Sequence, residues 1–207
     1  MNDRTALLSK ACRLEYLTVG WNVIEGVIAV SAALAAGSVA LLGFGLDSFV
    51  ESTSGLILLW RLSKERRSPD TSAEDIESLD RRAHRFVAST LFLLAAYIAI
   101  DSALALWTGE RPEVSFVGLG LVSLSIAVMW WLAQAKAQAA RELNSRALQA
   151  DSFQTLACWW LSIVTLVGLS LNAAFGWWWA DPVAALGVAA FVAREGREAW
   201  RGEVCGC

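Results

Sequence analysis

Apolar residues dominate the chain in six long stretches that short polar segments separate. The stretches lie at about 15–36, 39–61, 86–107, 115–135, 152–172 and 177–194. A helix needs about 20 residues to cross the roughly 30 Å hydrocarbon core of a bilayer, and the last stretch is somewhat short of that. A transmembrane barrel would instead require repeated segments of alternating hydrophobicity, which are absent. The pattern therefore predicts an all-α fold, an integral membrane six-helix bundle.

The same pattern sets the domain organisation. Residues 1–14 are predicted to be a cytoplasmic N-terminal lead-in, residues 15–198 hold the six spans, and residues 199–207 form a cytoplasmic tail. The tail carries Cys205 and Cys207. Two thiols one residue apart could chelate a soft metal ion, or the tail could be inert or redox-labile without a role in metal delivery.

Basic residues concentrate on one side of the predicted membrane. Sixteen of the seventeen Lys and Arg residues lie before the first span, between the second and third, between the fourth and fifth, or after the sixth. Lys136 is counted with the segment between the fourth and fifth spans, and only Arg111 lies in an alternate segment. The positive-inside rule then predicts cytoplasmic N- and C-termini. The compact, Arg- and Trp-rich sequence suggests a bacterial inner membrane. We expect the lipid bilayer as surroundings and no nucleic acid partner.

Two carboxylates lie in the middle of the second span. Asp47 and Glu51 are four residues apart, so both lie on one face of the helix. Each ionised acid near the bilayer centre costs roughly 2.5–3.5 kcal/mol on insertion scales. A bound cation or a proton would offset this cost, whereas the alternative is an acid pair that shares a proton and serves only helix packing.

Polar residues also interrupt the first, fifth and sixth spans. Glu25 lies three residues after Asn22, and it is either a buried, hydrogen-bonded carboxyl group or a group beside an ion pathway. Asp181 precedes Pro182 at the start of the sixth span, which predicts a cap for that helix. The fifth span carries four polar residues along one face, namely Asp151, Gln154, Thr155 and Cys158. The alternative for this face is a helix start capped by Asp151, with Cys158 as a small buried residue.

Three of these stretches carry a resemblance to a known family. GFGLDSFVES, NSRALQADSFQT and WADPVAALG, together with six spans and cytoplasmic termini, resemble the transmembrane domain of the cation diffusion facilitator (cation efflux) family. The resemblance implies export of zinc or a similar divalent metal by a homodimer that exchanges the metal for protons. It also implies a transporter that is not an enzyme and holds no prosthetic group. The chain resembles short members of the family that lack the usual C-terminal cytoplasmic domain.

The resemblance assigns metal ligands residue by residue. In the family, two ligands at i,i+4 on the second helix face two at i,i+4 on the fifth. Asp47 and Glu51 match the first pair, and Gln154 and Cys158 take the fifth-helix positions, where the family usually has His or Asp and then Asp. A thiolate is a good zinc ligand. Apart from the family pattern, Glu25 is a candidate for an additional carboxylate ligand, and Asp151 with Thr155 is the less favoured alternative i,i+4 register on the fifth helix.

Three functions follow as hypotheses. The first is a divalent metal cation efflux transporter, a metal/proton antiporter that works by alternating access. The second is a membrane metal sensor or accessory protein that does not transport, which the unusual Gln154 and Cys158 favour. The third is a proton-coupled transporter of a solute that is not a metal, which the absence of histidine from the spans favours.

Overall fold

The computed structural model describes residues 2–67, 73–109 and 111–201, and its regular elements there are all α-helices. The six helices are α1 (Asn2–Ala36), α2 (Val39–Arg67), α3 (Ala73–Thr108), α4 (Phe116–Leu143), α5 (Arg146–Phe175) and α6 (Ala180–Arg201). The predicted all-α bundle is confirmed. Cys205 and Cys207 lie outside the described residues.

Short turns with residues suited to positive φ separate the helices. Gly37, between α1 and α2, has a φ of 67°, and Asn144, between α4 and α5, has a φ of 49°. Both residue types adopt this left-handed conformation readily. Ser145 then caps α5 by accepting a hydrogen bond from the Leu148 N–H at 3.4 Å. The alternative that Asp151 caps this helix is therefore wrong, because Asp151 lies more than one turn inside it.

Helix α2 lies at the centre of the bundle. It packs against α1, α3, α5 and α6, while α1 also packs against α4, and α4 against α5. In the most apolar 18 residues of α2, 61% are buried, compared with 33–39% in α1, α3, α4 and α5. The acids of the second span are consequently held in the interior.

The bundle turns its large apolar side chains outward. Leu34, Leu93, Trp107 and Phe116 are all more than 70% exposed, whereas small and polar residues fill much of the interior. Exposed large apolar side chains on so many helices are typical of a membrane-facing protein. Helices α1 to α5 are long and apolar enough to cross a membrane, by length and composition.

Asp181, in the first turn of α6, connects the start of α6 to the start of α2. Its carboxylate accepts hydrogen bonds from the Ser38 hydroxyl (2.6 Å) and from the backbone N–H groups of Val39 (2.9 Å) and Ala40 (3.3 Å). These amides belong to the first turn of α2, where a carboxylate is favourable. Asp181 was predicted to cap its own helix, α6, but the structure shows it capping α2 instead.

Two apolar clusters fill the bundle. The first includes Ala33 of α1, Phe44 of α2 and Leu169 of α5. The second includes Leu8 of α1 and Leu148 of α5, and it marks the end of the bundle that we call the base, where α1 begins, α4 ends and α5 begins. Along α1 and α5, buried polar residues come between the two clusters. Apart from Asp181, the buried acids, the lysine and some of their partners are Glu15, Glu25, Asp47, Glu51, Lys136, Asp151, Thr155 and Cys158.

Close contact between α5 and α6 depends on Gly168. A Cβ atom added there would lie 2.6 Å from the Cβ of Ala184, so the two helices would have to separate. We expect Gly168→Ala to lower the free energy of unfolding by about 1–3 kcal/mol, the usual cost of overpacking. Gly120→Ala is the matched control, because a Cβ at Gly120 meets nothing within 4 Å and alanine favours helix.

Denaturation of both variants in mixed detergent micelles measures this difference. Equal stability of Gly168→Ala and Gly120→Ala would show that α5 and α6 do not pack as closely as described.

Candidate metal centre between the second and fifth helices

Asp47 and Glu51 of α2 face α5 inside the bundle. The thiol of Cys158 donates a hydrogen bond to Oδ2 of Asp47 at 3.4 Å. The hydroxyl of Thr155 donates to Oε1 of Glu51 at 3.0 Å. Because α2 and α5 run in opposite directions, the i,i+4 pair on α2 meets polar residues at i,i+3 on α5.

Both carboxylates are removed from solvent. Asp47 is 4% and Glu51 2% exposed, and Cys158 is 5% exposed. Within the described residues, Oε2 of Glu51 has no hydrogen-bond partner. A buried carboxylate with an unpaired oxygen is costly unless a proton or a cation joins it. The pair therefore has the charge and the free acceptor capacity that binding of a cation requires.

Gln154 lies on the side of α5 that faces α2, but its hydrogen bond is to Ser54 and not to the acid pair. Its Oε1 accepts a hydrogen bond from the Ser54 hydroxyl of α2 at 3.1 Å. The Ser54–Gln154 contact follows the Asp47–Cys158 and Glu51–Thr155 contacts toward the base. Gln154 therefore contacts neither Asp47 nor Glu51 through a hydrogen bond in the described residues. Of the two predicted fifth-helix ligands, Cys158 contacts the predicted ligand Asp47 directly, whereas Gln154 contacts Ser54, three residues after Glu51.

Glu25 of α1 lies beside the acid pair. Its Oε2 accepts a hydrogen bond from the Ser48 hydroxyl of α2 at 3.1 Å, and its other oxygen has no partner among the described residues. Both polar atoms of the Asn22 side chain are likewise buried without a partner there. Glu25 is thus hydrogen-bonded to Ser48, the residue that follows Asp47 on α2. Its other carboxylate oxygen is available to a further partner.

Asp151 forms an ion pair that the sequence did not reveal. The Lys136 ammonium group of α4 donates to Oδ2 of Asp151, to Oε2 of Glu15 at 3.1 Å and to Oγ1 of Thr155 at 3.2 Å. Lys136 was predicted to belong to a basic connecting segment, but α4 continues past it and its side chain is fully buried. The only sequence signal was a lysine and an acid at the predicted ends of adjacent spans.

A further acid, Glu195 of α6, was also missed. It is half-buried and lies within electrostatic reach of Asp47 and Glu51. Glu195 follows the last apolar stretch, and the sequence analysis therefore left it outside the spans. Across the described parts of the chain, no three His, Cys, Asp or Glu side chains are grouped so that they could hold a metal ion.

The sequence of the chain can be compared with those of known proteins. Residues 17–201 match the family described as the cation efflux transmembrane domain. The chain belongs to the cation efflux family. This match confirms the resemblance that GFGLDSFVES and NSRALQADSFQT carry, and with five helices suited to crossing a membrane it makes the chain a multi-pass membrane protein.

Individual relatives agree with the family assignment. An uncharacterized transporter of Synechocystis is 31% identical over 180 residues, which cover 83% of this chain and 56% of that protein. An uncharacterized transporter of Methanocaldococcus jannaschii is 26% identical over 179 residues, 86% of this chain and 63% of that one. The cation-efflux pump FieF of Shewanella oneidensis is 28% identical over 183 residues, 81% and 57%. The chain thus spans less than two thirds of the length of each of these relatives.

Proposed function

We propose that this chain is a divalent metal efflux transporter that exchanges the metal for protons, with zinc as the first candidate. The observation that carries the proposal is the buried Asp47–Glu51 pair, hydrogen-bonded to Cys158 and Thr155 of α5, in a member of the cation efflux family. One relative is named a cation-efflux pump, which is consistent with the proposal. We expect it to act in a transport step and not as an enzyme.

The chemistry of the α2–α5 face suits exchange of a metal ion for protons. Asp47 and Glu51 supply two negative charges, which neutralise a divalent ion in a region of low dielectric constant. Metal ligands must be deprotonated, so binding of the metal releases protons and protons can in turn displace the metal. Opening of the bundle first to one side and then to the other would convert this competition into antiport.

The proposed orientation in the membrane follows from the distribution of Lys and Arg. We propose that both termini lie on the cytoplasmic side of a bacterial inner membrane, because Lys and Arg other than the buried Lys136 concentrate at the ends of the helices on one side of the predicted spans. A homodimer is part of the proposal, on the family resemblance.

A panel of metals tests the transport proposal. Purified protein in liposomes with an imposed pH gradient is supplied with zinc, cadmium, cobalt, iron(II) or manganese, and metal uptake is followed together with luminal pH. We expect one or more of these metals to move in exchange for protons. If protons move but none of the metals does, a transporter of another solute replaces this proposal.

A second candidate function is a metal sensor or accessory protein that does not transport. The observation that favours it is the hydrogen bond between Gln154 and Ser54. Because of this contact, the four predicted ligands do not surround a single metal position. Metal binding by the purified protein, with no metal uptake by the liposomes, would support this second candidate.

Cys158 is expected to set the preference among metals. Thiolate ligands favour zinc and cadmium, whereas hydroxyl and carboxylate oxygens favour manganese and magnesium. We expect Cys158→Ser to lower cadmium uptake by about tenfold, which corresponds to about 1.4 kcal/mol, while manganese uptake stays the same or rises. Competition between cadmium and manganese in the same liposomes measures the ratio.

The control is Cys12→Ser, because Cys12 is also buried but packs in the apolar cluster at the base. An unchanged cadmium-to-manganese ratio in Cys158→Ser would exclude the thiol as a metal ligand.

A further inference from the structure

Lys136 is a fully buried lysine whose ammonium group lies among oxygen atoms of two other helices. Its acceptors are Oε2 of Glu15 on α1, Oδ2 of Asp151 on α5 and Oγ1 of Thr155 on α5. Lysine is almost never fully buried unless it is paired, and an ammonium group has three donors. All three donors of the ammonium group therefore have an oxygen partner.

The oxygen atoms around Lys136 would also suit a metal ion. Two carboxylates face one ammonium group, so the acids are only partly neutralised if both are ionised. In the described part of the chain, Oε1 of Glu15 is buried and has no hydrogen-bond partner. Carboxylate and hydroxyl oxygens are the ligands that hard divalent cations such as Mn²⁺ and Mg²⁺ prefer.

This cluster adjoins the proposed metal centre. Thr155 accepts a hydrogen bond from Lys136 and donates one to Glu51, so a single hydroxyl group links the two. A Cβ atom added at Gly55, which is four residues after Glu51 on α2, would lie 3.5 Å from Oε2 of Glu15. Four residues are about one helical turn, so the ammonium group lies roughly one turn closer to the base than Glu51.

We propose that Lys136 is a resident cation: its ammonium group fills a second cation-binding position, formed by Glu15, Asp151 and Thr155, which would otherwise take a hard divalent metal ion. This proposal rests on the proposed function, because it takes Asp47 and Glu51 as the first cation-binding position. Lys136 then limits this part of the bundle to one metal ion, because the second position is already occupied by a cation that cannot leave. Glu15 and Asp151 are kept from retaining a metal beside the transport pathway.

The test counts bound Mn²⁺ on the full chain in a background that removes the first position. In Asp47→Asn/Glu51→Gln, we expect no bound Mn²⁺ by electron paramagnetic resonance, and addition of Lys136→Met is expected to give about one Mn²⁺ per chain. Further addition of Asp151→Asn removes that site. Lys136→Arg in the same background is the matched control, because it keeps the positive charge and is expected to bind none.

The outcomes distinguish this proposal from the proposed function, since transport is never measured and both carboxylates of the first position are absent. Lack of Mn²⁺ binding by a folded Lys136→Met variant overturns the proposal, and so does equal binding with and without Lys136. If that variant folds only when Mn²⁺ is present, the proposal is supported, because the metal has replaced the lysine. A variant that folds in neither buffer counts against it, because Mn²⁺ should fill a vacated cation position.

Discussion

Replacement of Asp47 and Glu51 together by Asn and Gln is expected to reduce metal uptake into liposomes at least about 100-fold, to the level of protein-free vesicles. The amides keep the size and one oxygen of each side chain but remove both negative charges. Both positions are nearly inaccessible to water, so no solvent replaces the lost charge. A 100-fold loss corresponds to about 2.7 kcal/mol, which is modest for removal of two charges from a buried cation site.

Glu142→Gln is the control for this loss. Glu142 forms an exposed ion pair with Lys10 at 3.3 Å near the base, outside the α2–α5 face. Its replacement removes a carboxylate from the same protein without touching the proposed centre, and we expect uptake close to that of the wild type. Equal loss in the control would indicate a general effect of charge on the protein in the membrane.

Replacement of Lys136 by Met is expected to lower the free energy of unfolding by about 3–5 kcal/mol in metal-free buffer. Loss of one member of a buried ion pair leaves the other members as uncompensated charges, which is the costly case for such pairs. Glu15 and Asp151 would be those members, and each loses its hydrogen bond to the ammonium group. Unfolding in mixed detergent micelles with a chelator present measures the change.

Lys10→Met provides a matched comparison at the surface. The Lys10 side chain is 46% exposed, and exposed ion pairs contribute about 0–1 kcal/mol. Addition of Asp151→Asn to Lys136→Met should restore part of the lost stability by removing one uncompensated acid. Similar effects of Lys10→Met and Lys136→Met would contradict the buried network.

The fold was largely predictable because membrane-spanning helices are defined locally. About 20 apolar residues and the turn residues between them suffice, and the predicted break between residues 36 and 39 agrees with the observed ends of α1 and α2. The acid pair was equally visible, since Asp47 and Glu51 are unusual in so apolar a stretch. Its position facing α5 was expected from the family resemblance.

The buried partners of the polar residues were not predictable, because they depend on which helices meet. Lys136 follows the apolar part of α4 and resembles a basic residue of a connection, yet α1 and α5 cover it with Glu15 and Asp151. Asp181 has the sequence context of a cap for α6, but its carboxylate reaches the start of α2. In both cases the sequence shows the charge, and only tertiary packing supplies the partner.

The central claim is that Asp47 and Glu51 hold the metal in exchange for protons, and a titration of purified protein with zinc in weakly buffered detergent tests it most directly. The account predicts about one zinc ion bound per chain with release of protons, and loss of both signals in Asp47→Asn/Glu51→Gln. Zinc binding and proton release that are unchanged in the double variant would contradict the account, since the metal would then bind elsewhere.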